Sequence, residues 1–329
     1  MHHSTFWLSA SDSFQLHVHR WSPDTPPKAV VMLAHGLAEH GARYARLGEA
    51  LTSHGYELFA LDQRGHGQTA KQGVLGHFAD VDGWSKVVAD LACLNHHIRQ
   101  QSASLPIFLL GHSMGSYIGQ AYLMQHSSSL QGAILSGSNF QAARIYRGAG
   151  LIARLERWRL GQTGRSKLIN FLSFGSFNKA IKQARTEFDW LSRDADEVDR
   201  YVNDPDCGFI ATTQLWCDLL GGLQRISNVK QLAQIDPQLP LLVIGGDCDP
   251  VSAGQRLNDL AGALRVAGLK HVELKIYPGA RHELLKKSNR DEVIDYLINW
   301  LDQGLAYGRN PLAENPQAQA EIMRNDHPE

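Results

Sequence analysis

IFLLGHSMGSYIGQAYLMQ, residues 107–125, is the stretch on which the reading of this chain turns. Residues 107–110 are a short apolar run, of the kind buried on both faces of a parallel sheet. After Ser113 the pattern is that of a helix. Between the two lies Gly111-His112-Ser113-Met114-Gly115. A serine on so sharp a strand-to-helix turn takes a strained backbone conformation that exposes its hydroxyl, and small residues two before and two after it prevent clashes. The helix behind directs its positive end at the serine. The flanking strand and helix carry the weight, because a G-x-S-x-G match alone also arises by chance in glycine-rich loops. Ser113 is therefore the candidate nucleophile. Its hydroxyl is weakly nucleophilic at neutral pH and needs an adjacent base.

Outward from this turn, strands alternate with helices. Residues 14–21 alternate as a strand, with Phe14, Leu16, Val18 and Arg20 on one face; SPDTPPK then turns the chain. Apolar runs at 29–34, 56–61, 133–135, 241–244 and 272–277 read as strands. Helical periodicity covers Tyr44 to Leu51, 81–98, 255–266 and 291–301. This alternation predicts an α/β fold, a mainly parallel sheet with helices on both faces. It breaks over about 139–237, which is too long for a loop and has helical patterns without a convincing strand. The expected organisation is a core of residues 14–138 and 238–303, a helical cap at 139–237, and a mobile polar tail at 304–329.

A nucleophile presented this way is followed along the chain by an acid and then a histidine. Two aspartates compete in LLVIGGDCDPVS, Asp247 and Asp249, both just past a strand's carboxyl end. Asp249 is favoured because Pro250-Val251 would turn the chain and seat its carboxylate, whereas Asp247 reads as a turn residue bonding its own backbone. Among sixteen histidines, His282 is selected by position, in the loop after the last strand. His271 lies at the wrong end of that strand. The oxyanion donors should be the backbone N–H of Met114 and, in the early strand-to-loop turn HGLAEHG, the N–H of Leu37.

The 329 residues suffice to bury roughly three quarters of the unfolded chain's surface. Hydrophobic residues are 43% and charged residues 20%, and 32 Lys+Arg nearly cancel 33 Asp+Glu. That balance provides no global field for nucleic acid or an acidic membrane. Cys93, Cys207, Cys217 and Cys248 form no C-x-x-C pair, which suggests free thiols in a reducing compartment. The first residues have no basic, apolar leader pattern, and no run of about 18 apolar residues occurs. A cytoplasmic location is expected. His35, His40 and His112 have no carboxylate at ligand spacing, so a metal site is not expected.

Taken together, HGLAEHGARY (35–44), LDQRGHGQT (61–69), GHSMGS (111–116), GGDCDPVS (245–252) and GARHELL (279–285) resemble the monoacylglycerol lipase and lysophospholipase branch of the α/β-hydrolases, which overlaps the serine aminopeptidase S33 group. The similarity spans about residues 14–300. It implies an α/β-hydrolase fold and hydrolysis of a small acyl ester through an acyl-enzyme. The implied site has Ser113 as nucleophile, Asp249 as acid, His282 as base, Leu37 and Met114 as oxyanion donors, and no cofactor. DPDCGFIATTQLW (204–216) is similar to a cap segment of that branch. Ser116 departs from the glycine common there, with little effect expected, and the tail has no counterpart.

The remaining signals read mainly as structural. Arg64-Gly65-His66-Gly67 lacks the Lys-Ser/Thr of a phosphate loop and suits a tight turn. Glu39, His40 and Arg43 are expected to hold the oxyanion turn. Residues 144–167 carry seven Lys or Arg and one Glu, with Ile145, Ala149, Ile152, Leu155 and Trp158 at helical spacing. Such a helix either packs its apolar face on the core or meets a lipid surface. Leu168, Ile169, Phe171, Leu172, Phe174 and Phe177 would suit a lid over an acyl chain. Two other functions fit parts of the pattern. An aminopeptidase of the same fold would use cap carboxylates among Glu187, Asp189, Asp194, Asp196 and Glu197 to hold a free amine. A non-catalytic binding protein on this scaffold would not need the complete Ser-Asp-His set.

Overall fold

A computed structural model describes residues 1–306, apart from Ala253. Its strands are β1 (His2–Ser9), β2 (Gln15–Ser22), β3 (Ala29–Ala34), β4 (Tyr56–Leu61), β5 (Ile107–His112), β6 (Gly132–Ser136), β7 (Leu241–Gly246) and β8 (Val272–Tyr277). They form one sheet in the order β1-β2-β4-β3-β5-β6-β7-β8. The pairings β1–β2 and β2–β4 are antiparallel and all others parallel. Strands β3 to β7 are buried along their whole length, as expected of runs covered on both faces.

The helices are α1 (Ala45–Ser53), α2 (Gly83–Gln101), α3 (Met114–His126), α4 (Ala143–Leu160), α5 (Lys167–Phe174), α6 (Ala195–Asn203), α7 (Thr213–Ile226), α8 (Val229–Leu232), α9 (Arg256–Val266) and α10 (Arg290–Ala306). Because side chains alternate along a strand, each strand feeds two cores. Met32, Leu109 and Val243 join Leu91 of α2, Ile118 of α3 and Leu260 of α9. Val31, Leu110 and Leu242 join Leu51 of α1 and Leu297 of α10. The fold is that of an α/β-hydrolase.

Helices α4 to α8 all lie between β6 and β7, where the alternation breaks. The starts of α5 and α7 are set by side-chain caps: Ser166 accepts from the Ile169 N–H at 3.1 Å and Thr212 from the Leu215 N–H at 3.2 Å, satisfying donors with no intrahelical partner. Helix α4 lies along α7, whose Leu215 and Leu219 reach the main core.

The structure differs from the sequence reading at both ends. Strand β1 precedes the expected start at Phe14. It is an edge strand whose outer side is exposed, so it shows little apolar signal; Leu8 is buried and Phe6 packs edge-on against Phe59. At the other end, residues 304–306 belong to α10 and not to a tail. Gly304 is placed close to the Phe108 ring, and its carbonyl accepts from Gln131 Nε2 at 2.8 Å. The rest of the expected tail, 307–329, lies outside the described residues.

Two adjacent glycines of α7 test this packing. A Cβ on Gly221 would meet nothing within 4 Å, whereas one on Gly222 would lie 2.2 Å from the Trp84 ring. Gly221→Ala should raise stability by about 0.5–1 kcal/mol through helix propensity. Gly222→Ala should lower it by about 1–3 kcal/mol through overpacking. Urea unfolding of the two variants beside the wild type checks the opposite signs.

Candidate active site

The turn between β5 and α3 is as tight as its glycines require. A Cβ at Gly115 would lie 2.0 Å from the Ala34 carbonyl oxygen, and one at Gly111 would lie 2.6 Å from the Gly115 carbonyl oxygen. Ser113 sits between them at φ 51°, ψ −121°, a region costly for a residue with a side chain. Its backbone is held on both sides. The Ser113 N–H donates to the Ser136 carbonyl at 2.8 Å, and its own carbonyl accepts from the Ser116 N–H at 2.8 Å. Ser116 Oγ donates to that same carbonyl at 2.6 Å. The serine that departs from the family pattern thus adds a bond to the strained turn.

The histidine loop meets this turn from the other side of the sheet's carboxyl end. His282 Nδ1 donates to Asp249 Oδ2 at 3.0 Å, and both residues are almost wholly buried. Asp249 Oδ1 accepts from the Val251 N–H at 2.9 Å, so the turn at Pro250 orients the carboxylate. Asp247 is engaged elsewhere, accepting from the Gly279 N–H at 2.6 Å. Burial pushes the His282 pKa down, but the charge and hydrogen bond of Asp249 outweigh it, so the imidazole sits above its ordinary value. His112 lies 4.8 Å from the His282 ring. Burial first, and then the neighbouring imidazole, push its pKa down to about 4, which keeps it neutral.

Ser113 and His282 line the same cavity of about 730 Å³, whose surface also includes Gly36 and Leu37. The Ser113 hydroxyl has no hydrogen-bond partner among the described residues; in unliganded sites the nucleophile–base bond is commonly long. Neither the Leu37 N–H nor the Met114 N–H donates to any described residue. Both are thus unpaired main-chain donors next to Ser113, with Met114 opening α3.

The loop carrying Leu37 is held by the residues selected for that role. Glu39 accepts from the Gly36 N–H at 2.6 Å and from Tyr44 Oη at 3.0 Å. Arg43 Nη1 donates to Glu39 at 2.7 Å and to Glu283 at 2.6 Å, and Arg43 Nη2 adds a second bond to Glu283 at 3.0 Å. His40 Nε2 bonds Asp204 at 2.9 Å. From the helical insertion, the Gly208 N–H and Tyr201 Oη both donate to the Ala38 carbonyl, at 3.0 and 2.9 Å. Arg43 therefore ties the Leu37 loop to the His282 loop. The sequence reading missed Glu283 and Lys286. Burial drives the Lys286 ammonium down to about 8, and it donates to the Arg43 carbonyl. The available signal was the charged run directly after His282. Arg64 is structural, paired with Asp90 at 2.7 Å and with Asp12 at 2.7 Å.

At the cavity wall, Glu39, His112 and Glu283 approach one another as metal ligands might, but Arg43 already ion-pairs with both carboxylates. That pairing yields a prediction. The charge of Arg43 overcomes burial and holds the Glu39 carboxyl well below the usual carboxylate range. Its stabilisation is present above the ordinary carboxylate pKa and is lost as the pH falls below it. Arg43→Met leaves two buried carboxylates unpaired and should cost about 3–5 kcal/mol at pH 7. The deficit should narrow at about pH 4, where carboxyls protonate. Urea titrations at the two pH values check both the size and the trend.

Comparison with known proteins identifies the family. The chain is 30% identical to a monoacylglycerol lipase of Mycolicibacterium smegmatis over 85% of its own length and 90% of that protein's. It is 28% identical to the monoglyceride lipase of Homo sapiens over 91% and 90%. A thermostable carboxyl esterase from Bacillus coagulans, solved in complex with glycerol, superposes with a TM-score of 0.84 at 26% identity, covering 92% of this chain and 99% of that one. The family model described as serine aminopeptidase, S33, matches residues 25–289. On that match and these relatives, the chain belongs to the serine aminopeptidase S33 family.

Proposed function

We propose that the chain is a serine carboxylic ester hydrolase that cleaves monoacylglycerol through an acyl-enzyme. The carrying observation is that the strained Ser113 and His282, which is hydrogen-bonded to the buried Asp249, line one cavity. The proton of Ser113 Oγ passes to His282 Nε2 as the oxygen attacks the ester carbonyl. The N–H groups of Leu37 and Met114 stabilise the oxyanion. His282 then protonates the departing glycerol oxygen. Water, giving its proton to His282, attacks the acyl-serine and releases the fatty acid. Asp249 holds the imidazole tautomer and stabilises the imidazolium.

The names of the relatives support monoacylglycerol as the substrate. The cavity supports an acyl chain, since Phe171, Phe174, Phe209, Ile210, Trp190 and Leu191 form much of its wall. The aminopeptidase alternative has less support. Asp189 is occupied by Thr186 and the Arg185 N–H, Asp194 by Arg290, and Glu197 by Arg46. Asp196 is exposed away from the cavity, and among the five cap carboxylates only Glu187 lines it.

The cap reading extends to a lipid surface. On α4, Leu155 and Trp158 are 65% and 87% exposed beside Arg154, Arg157 and Arg159; on α5, Phe171 is 66% exposed and also lines the cavity. An apolar stripe flanked by arginines suits peripheral contact with lipid at the cavity mouth. The four unpaired cysteines support a cytoplasmic location. No described helix is long and apolar enough to cross a membrane.

Fatty-acid release tests the reading. Wild type should hydrolyse 1-monoacylglycerol, and Ser113→Ala should lose on the order of 10⁴-fold or more in kcat. Trp158→Ser should keep the wild-type rate on a water-soluble ester and slow on substrate held in vesicles. Preference for lysophosphatidylcholine would move the headgroup assignment. Cleavage of aminoacyl arylamides with no ester cleavage would overturn it.

A further inference from the structure

Away from the cavity, β2 reads Gln15-Leu-His-Val-His-Arg-Trp-Ser22, so His17 and His19 project from one face of the strand. On the neighbouring strand, β4 ends at Leu61 and Asp62 follows it. Asp62 Oδ2 lies 3.3 Å from His17 Nδ1 and 3.5 Å from His19 Nε2. The three residues are 8%, 6% and 0% exposed. Even so, His17 Nδ1 and both nitrogens of His19 have no hydrogen-bond partner. Unpaired polar atoms buried this deeply are rare and call for an explanation.

We propose that His17 Nδ1, His19 Nε2 and Asp62 Oδ2 bind a divalent transition-metal ion of the zinc class. All three ligand atoms lie within 4.8 Å of one another. Bonds of about 2.0–2.1 Å to a tetrahedral ion place neighbouring ligand atoms about 3.3–3.4 Å apart. The two nitrogen–oxygen separations match such edges, while their directions fail as hydrogen bonds. Two neutral imidazoles and one carboxylate are donors that zinc accepts. Bonding an ion would satisfy two of the three unpaired nitrogens, leaving His19 Nδ1.

The surroundings fix the donors in place. The His19 ring lies beside His3 and Trp21, at 5.6 and 5.7 Å, which stack on each other at 4.6 Å, and His17 meets Trp7 edge-on at 5.1 Å. The His17 N–H donates to Thr69 Oγ1 at 2.8 Å. Asp62 Oδ1 accepts from the Gly41 N–H at 2.7 Å, and Oδ2 accepts from the Gln68 N–H at 2.9 Å. Gly41 follows the loop that carries Leu37. The ion would therefore brace the far end of that loop. None of its three ligands lines the cavity, so the role is structural and the inference does not rest on the hydrolase reading.

The test uses the full chain without a histidine tag, stripped with chelator and dialysed against zinc or cobalt(II). One equivalent of zinc per chain should be retained, the cobalt form should show the visible absorption of tetrahedral cobalt(II), and the Tm should rise on loading. H17Q/H19Q should lose that equivalent and the Tm rise, while H40Q, altered in a separate histidine–carboxylate cluster, should keep both. No tight equivalent, no tetrahedral cobalt spectrum in the wild type, or an equivalent that survives in H17Q/H19Q would overturn the proposal. The wild-type cobalt spectrum decides even if the double variant fails to fold. Cluster atoms held only as an ion pair would give that negative result.

Discussion

The site depends on one close approach, between the first turn of α3 and the end of β3. At Gly115 there is no room for a side chain against the Ala34 carbonyl. This contact places Ser113 in its strained conformation, at a cost of order 1–3 kcal/mol, which the bonds to Ser136 and from Ser116 help offset. The chain that supplies Ala34 continues directly into His35-Gly36-Leu37. The same contact therefore sets the spacing between Ser113 and the loop with the unpaired Leu37 N–H. A methyl group at residue 115 would push apart both halves of the site.

Electrostatics then hold the loops that the sheet brings together. Arg43 bridges Glu39 on the Leu37 loop and Glu283 beside His282, so two loops far apart in sequence are tied together. Lys286 and Tyr44 complete a buried set of charges and polar groups at the cavity floor, which Glu39 and Glu283 line. The side above the floor is mostly apolar and belongs to the insertion, which is tied to the loop at Ala38 by Gly208 and Tyr201. A shift of the insertion would thus be felt at the Leu37 loop. In the proposed reaction this would couple entry of an acyl chain past Phe171 of α5 to the geometry of the reacting carbonyl.

Much of this was legible in the sequence because the relevant signals are local. The elbow pentapeptide sits between a buried strand and a helix, and Asp249 and His282 lie in the loops that follow β7 and β8. The interactions that were not legible are long-range. The Arg43–Glu283 pair spans 240 residues, and neither residue has a pattern that predicts the other. The His17-His19 pair attracts little notice until β4 pairs with β2 and brings Asp62 beside it. A metal search by sequence spacing, which weighed His35, His40 and His112, had no way to see that grouping. Strand β1 was missed because an edge strand with one solvated face has a weak apolar signal, and the end of α10 because polar residues dilute its last turn.

The central claim is that Ser113 is a nucleophile activated by His282. Its most direct measurement is covalent labelling by a fluorophosphonate, with the adduct located by peptide mass spectrometry. The account predicts a single adduct on Ser113, forming faster as the pH rises through the elevated pKa of His282, and nearly abolished in His282→Ala. Labelling elsewhere, or labelling of Ser113 at an unchanged rate without His282, would contradict it.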